Sequence, residues 1–372
     1  MMSGSNVLRE AAGALSKDER SEKSPSTAEQ GNLLIFRIGS IGDTVVALPC
    51  FHAIARAFPQ ERKVLLTNAP GGPRSVSAES LLAGTGLIDT TIYFPVGRNR
   101  LRHSLALVHE LRQLAPRALI YLAPRPGGLA VYRDLLFFKA AGIRRIIGAP
   151  WDPVDRQCRI DPATGELEHE ACRLARVLGG QIPVDLSAAS WDLRLDATER
   201  ASADLCLASL PAGQTILALA PGALQTAKDW GEDRWATLIG LLQLRVARVA
   251  LVLLGSPQDR DRADRLATHW HGPQVNLCGE LTPRQSAAVL ARSDLLVCHD
   301  SGPMHLAASQ GTPCIALFGY FNRPRQWYPF GERHLVIYEP LGIREIGVER
   351  VAESVVAAVD RRRTAPVQAA SG

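Results

Sequence analysis

Three short stretches of this 372-residue chain combine glycines, carboxylates and cations in ways that suit group transfer. The first, Arg37-Ile-Gly-Ser-Ile-Gly-Asp43, follows an apolar run and opens a helical pattern. Gly39, Ser40 and Gly42 make a tight turn that a ligand can approach closely. Asp43 brings a carboxylate to the helix start, where it can cap free N–H groups or accept a proton as a general base. The spacing of the glycines falls short of GxGxxG, which argues against a bound dinucleotide here.

The second stretch runs from Pro221 and Gly222 through Lys228 to Trp230. A strand-to-helix loop with one ammonium can neutralise a departing diphosphate, although a lone loop lysine is otherwise simply solvated. The third is His299-Asp-Ser-Gly-Pro-Met-His305. Here Asp300 can cap the helix that follows. The N–H groups of Ser301 and Gly302 then point beyond the helix end, where dipole and free donors favour a diphosphate. His305 can reach the same ligand or serve as a packing histidine. Asp259-Arg-Asp261 has the spacing of a metal-binding Asp-x-Asp, but it starts a helix, so capping or a bond to a ribose hydroxyl accounts for it. Nothing else resembles a hard-cation site, and no metal or cofactor is expected.

These loops need strands to hold them. From Asn32 onward, β-rich runs alternate with helical stretches, the pattern of βαβ units around a parallel sheet. Strands are predicted at 32–38, 63–67, 91–94, 118–122 and 145–147, with helices over 43–57, 101–114, 129–140 and 166–178. A second series has strands at 215–220, 249–254, 274–277, 294–299 and 314–318, with helices over 232–244, 259–270, 283–292 and 301–310; a last helix covers 348–362. The expected organisation is a disordered tail (1–30), a first Rossmann-like domain (31–190), a second Rossmann-like domain (191–346), and a C-terminal helix and tail (347–372).

Composition agrees with a two-domain globular protein: 46% of residues are hydrophobic and 21% charged, and no apolar run approaches the ~18 residues of a spanning helix. The seven cysteines are scattered singly, as expected of reduced thiols, and a cytoplasmic protein is expected. Charge is unevenly spread. Between Arg98 and Ile160 stand eleven Arg and one Lys against four acids, a local +8, so the rest of the chain carries −3. Such an excess suits an acidic substrate or anionic lipid surface as well as ordinary solvated arginines. No aromatic platform or recognition helix points to nucleic acid.

Together the three blocks resemble glycosyltransferase family 9, the ADP-heptose:lipopolysaccharide heptosyltransferases. The marks are Gly39-Ser-Ile-Gly-Asp43 with Leu48-Pro49 and Ala57-Phe58-Pro59, Pro221-Gly-Ala with Lys228 and Trp230, and Asp300-Ser-Gly-Pro-Met-His305 with Gly311-Thr-Pro and Leu317-Phe-Gly319. The resemblance implies a GT-B-like α/β fold of two doubly wound domains with a cleft between them. It implies metal-independent, inverting transfer of heptose from ADP-heptose to a lipopolysaccharide core or related anionic glycan. Asp43 would be the general base and Lys228 would act on the donor phosphates, with Gly39, Ser40, Gly42, Pro221, Gly222, Asp259, Asp300, Ser301, Gly302 and His305 on the donor side. Arg98, Arg100, Arg102 and Arg125 are expected to hold the acceptor's anionic groups, with peripheral contact at the cytoplasmic face of the inner membrane. Ala223 and Leu224 depart from the hydroxyl residues of some members, and Gly231 from the usual Pro. A nucleotide-sugar epimerase or hydrolase of the same architecture, and a non-catalytic nucleotide-sugar-binding partner, are the competing readings.

Overall fold

The computed structural model describes residues 31–69, 76–94, 100–123 and 128–364, with the backbone alone at 100–103 and 364. The first half contains strands β1 (Asn32–Phe36), β2 (Arg62–Asn68), β3 (Thr90–Phe94), β4 (Ala118–Tyr121) and β5 (Ile146–Ile147). Its helices are α1 (Ile41–Val46), α2 (Leu48–Ala57), α3 (Glu79–Leu82), α4 (Arg100–Leu114), α5 (Gly128–Ala140) and α6 (Glu170–Gly179). The second half contains β6 (Thr215–Ala220), β7 (Val249–Leu253), β8 (Gln274–Asn276), β9 (Leu295–His299), β10 (Cys314–Gly319) and β11 (Leu335–Glu339). With these go α7 (Ala197–Leu207), α8 (Glu232–Arg245), α9 (Arg260–Ala267), α10 (Pro283–Arg292), α11 (Gly302–Ser309) and α12 (Val348–Thr364).

Both sheets are parallel. The first has the order β3-β2-β1-β4-β5 and the second β11-β10-β9-β6-β7-β8, the doubly wound arrangement in which strand order reverses beside the first strand. The central strands are apolar because helices cover both faces: Leu33, Leu34 and Ile35 of β1 and Leu217, Ala218 and Leu219 of β6 are all within 1% of full burial. Ligands of such sheets bind outside the carboxyl ends of the strands at the reversal point. That point lies between β1 and β4 in one sheet and between β6 and β9 in the other.

Several predicted boundaries shift for local reasons. The helix predicted over 43–57 is two, α1 and α2, which share Ala47 as cap, with Pro49 at the start of the second. Proline has no N–H to continue the first helix, so the chain turns there. Glu166 and Leu167 precede α6 rather than belonging to it: Leu167 bridges Ile160 in antiparallel fashion. The second sheet has a sixth strand, β11, paired with β10 but unpaired beyond; its half-exposed residues gave no buried apolar run to read. Helix α7, also absent from the prediction, is held by a reciprocal cap between Asp196 and Glu199 and packs on α10.

One apolar core runs continuously through both halves, from β1, α1 and α2 to β6, α10 and α11. Helix α1 packs directly on α11. At that crossing a Cβ on Gly302 would sit 3.7 Å from Ile41, and one on Gly42 only 2.8 Å from Cδ2 of His305.

Candidate functional site

The turn after β1 is organised around Asp43. The Ser40 N–H and hydroxyl both donate to Asp43 Oδ2, at 2.7 and 2.8 Å, and the Asp43 N–H returns a bond to Ser40 Oγ at 3.4 Å. This capping box fixes the carboxylate at the first turn of α1. Gly39 makes it possible: its φ is +137°, and a Cβ there would lie 2.6 Å from that of Asp43. Oδ1 accepts no hydrogen bond among the described residues and stands 3.9 Å from Nη2 of Arg37. Arg37 is fully buried at the end of β1, donating to the carbonyls of Leu122 and Asp43. Burial pushes the guanidinium's pKa down and the Asp43 charge opposes that. One carboxylate oxygen is therefore occupied, and the other is open beside a fixed cation.

Across the cleft, the β6 and β9 loops meet. Lys228 Nζ donates to Asp300 Oδ2 at 2.6 Å and lies 4.9 Å from the centre of the Phe321 ring, while Asn322 donates to the same Oδ2. Asp300 thus binds side chains rather than capping α11, as the sequence had suggested: Ser301 is the N-cap residue and makes no side-chain cap bond. A nearly buried carboxylate satisfies itself with an ammonium before a backbone amide. Burial still pushes the Asp300 carboxyl up, against the opposing Lys228 and Asn322. The open start of α11 faces the cavity with its dipole unneutralised by a side-chain cap.

Two histidines do different work. His299 is wholly buried; its Nε2 accepts from the Trp230 N–H at 3.1 Å and the Trp235 indole at 3.2 Å, and Nδ1 lies 3.4 Å from the Gly222 carbonyl. Two donors on Nε2 require the neutral ring protonated at Nδ1. Burial accordingly lowers its pKa to about 4. It ties the lysine loop to β9. His305 is 5% exposed and lines the cavity; burial lowers its pKa to about 3, so it is neutral at pH 7.

Asp259 repeats the Asp43 arrangement on the donor side. Ser256 N–H and Oγ–H donate to its Oδ2 at 2.8 and 2.6 Å, in a second Gly-Ser-x-x-Asp box (Gly255 to Asp259). A Cβ on Gly222 would fall 2.5 Å from this carboxylate, so only glycine fits there. Asp259 is the N-cap residue of α9 but makes no side-chain bond to that helix; its carboxylate closes the turn before it instead, and Asp261 sits in the first turn of α9.

The cavity between these elements has a volume of about 550 Å³, within the usual range for small-molecule sites. Ser40, Gly42, Asp43, Gly222, Lys228 and Asp259 line it, and so do Asp300, Ser301, Gly302 and His305. Gly39 and Pro221 are not among the lining residues. Arg98 and Arg125 lie outside the described residues, and Arg100 and Arg102 belong to α4 by backbone alone. Gln225, Phe321 and Asn322 also line the cavity and were not foreseen. Their loops carry no spacing that singles them out, and Asn322 is identified only by its bond to Asp300. All seven cysteines are free thiols. Among the described residues no helix is long and apolar enough to cross a membrane.

The family model for glycosyltransferase family 9 (heptosyltransferase) matches residues 160–345. The lipopolysaccharide core heptosyltransferase OpsX of Haemophilus influenzae is 23% identical over 322 residues, covering 85% of this chain and 87% of that one. A family 9 glycosyl transferase of Veillonella parvula superposes with a TM-score of 0.68 at 18% identity, covering 89% of this chain and 98% of that chain. The ADP-heptose lps heptosyltransferase II of E. coli does so with a TM-score of 0.61 at 19% identity, covering 89% and 99%.

Proposed function

Since this chain belongs to glycosyltransferase family 9 and is a glycosyltransferase, we propose that it moves heptose from ADP-heptose to a hydroxyl of a lipopolysaccharide core or related anionic glycan, with inversion and without a metal. The observation that supports this reading is that Asp43 of one half and Lys228, Asp300 and the start of α11 of the other line the same cavity. In this reading Asp43 Oδ1 takes the acceptor hydroxyl's proton as the oxygen attacks the anomeric carbon from the face opposite the diphosphate. The bond to the diphosphate breaks as the new glycosidic bond forms. Lys228 and the Ser301 and Gly302 amides neutralise the charge that develops on the leaving group. Asp300 orients Lys228, Asp259 beside Gly222 faces the ribose, and the neutral His305 lines the pocket. Arg98, Arg100, Arg102 and Arg125 hold the acceptor's phosphates or carboxylates, and the enzyme works against the cytoplasmic face of the inner membrane.

The decisive experiment is Asp43→Asn, assayed for transfer and separately for ADP binding. The expected outcome is a fall in turnover of at least about 10²-fold with ADP binding retained. Full turnover in a folded Asp43→Asn enzyme would remove the base assignment. Sugar released or isomerised from donor alone, at a rate equal to transfer, would favour the hydrolase or epimerase reading.

A further inference from the structure

Helix α5 presents an apolar stripe to solvent. Leu129, Tyr132 and Leu136, spaced to share one helical face, are 87%, 49% and 69% exposed, while Val131, Leu135 and Phe138 on the opposite face are buried in the core. Next to the stripe stands Trp151, 53% exposed, and the exposed Val154 in the turn that follows. Arg156 ties the two parts together: its guanidinium lies 5.2 Å from the Tyr132 ring centre and donates to the carbonyls of Trp151 and Pro150, at 2.9 and 3.1 Å. Soluble surfaces scatter such residues singly; large apolar residues lined along one exposed helix face, with an exposed tryptophan linked to them through Arg156, mark a contact surface.

We propose that this face docks on an anionic lipid surface. Three observations choose that occupant. The stripe is bordered by the exposed Lys139 and by Arg133, whose guanidinium is paired with Asp134, and the segment from Arg98 to Ile160 that builds α4, α5 and the Trp151 turn carries +8 while the rest of the chain carries −3. A tryptophan and a tyrosine sit at the edge of the apolar group, the residues that favour the headgroup boundary. Leucines on one face with cations beside them are the pattern of helices that lie in a membrane interface. A second copy of this chain would bring the two positive faces together and is disfavoured by their repulsion.

The location also fits. Helix α5 starts from the carboxyl edge of the first sheet, after β4, and α1 with Asp43 starts from the same edge after the neighbouring β1. A membrane under Leu129 therefore lies on the side of the sheet where the carboxylate waits. The benefit to an acceptor held in lipid rests on the function proposed above, but the docking itself does not.

The test is flotation of the full chain with vesicles of phosphatidylglycerol and phosphatidylcholine in equal parts, against phosphatidylcholine alone, with no donor or acceptor present. The wild type should float with the anionic vesicles, and less so as salt is raised, because surface attraction is screened. Leu129→Ser with Leu136→Ser should weaken partitioning by about tenfold per leucine. Transfer to a soluble, lipid-free acceptor fragment should be unchanged in that variant. Wild type that ignores anionic vesicles, or a double variant that floats as well as wild type, would overturn the proposal. So would sedimentation showing that the two substitutions convert a dimer to a monomer, which would assign the stripe to a second copy. Because flotation uses no substrate, a failure of the transferase reading leaves this result standing, and the reverse also holds.

Discussion

Arg37 was visible in the sequence as the residue opening the first motif, yet its role emerges only from burial. It is fully enclosed, its Nε has no hydrogen-bond partner among the described residues, and its remaining donors hold the carbonyls of Leu122 and Asp43. We expect Arg37→Leu to lower kcat by about tenfold or more, since small misplacements of reacting groups are costly, with the donor KM unchanged and partial recovery in Arg37→Lys. An equal effect on donor KM would make Arg37 merely structural. Asp300 offers a pH test. Its carboxyl is already pushed up by burial, and Asn322 works against that. Its ionised form binds Lys228, so activity on the acid side should fall as Asp300 protonates. Removing the opposing bond with Asn322→Leu raises that carboxyl further, and the acid limb of the kcat/KM profile should move to higher pH. A limb that stays put or moves down would contradict the assignment.

At the scale of elements, the site depends on two helices that start against each other. Gly42 of α1 leaves room for His305 of α11, where a methyl would lie 2.8 Å from the ring. Gly42→Ala should therefore lower both Tm and turnover, and His305→Ala added to it should restore Tm by removing the clash; independent, additive losses in the pair would refute the contact. The lysine loop has its own support in His299, which accepts from two buried tryptophan N–H groups. His299→Phe strands both donors and should cost about 2–6 kcal/mol in denaturant unfolding, at about 1–3 kcal/mol for each unsatisfied group. The strand-to-helix turns were legible in advance because glycine and capping residues mark them. The break at Ala47 and the edge strand β11 were not: one follows from a single proline within a helical pattern, the other from pairing with β10 across the second sheet.

For the whole molecule, one continuous core joins the halves and leaves a cavity where two sheet reversal points meet. A ligand bound there should stabilise the fold by mass action: ADP at about a hundred times its Kd should add about 2.7 kcal/mol. Asp43→Asn should keep that gain and Lys228→Met should lose most of it, as read by thermal unfolding with and without ADP. Loss of the gain in Asp43→Asn instead would place the nucleotide against the wrong half.

Residue order alone determined the parallel α/β class, the three strand-to-helix turns that line the cavity and the family resemblance, because strand hydrophobicity, glycine and helix capping are local properties that a chain displays without being folded. Which oxygen of Asp43 is open, that Asp300 binds Lys228 and Asn322 rather than its own helix, and that Asp259 is held by Ser256 depended on side chains meeting across loops and in close packing. Those choices are made by burial and by competition among donors, and neither exists until the two sheets close on one another.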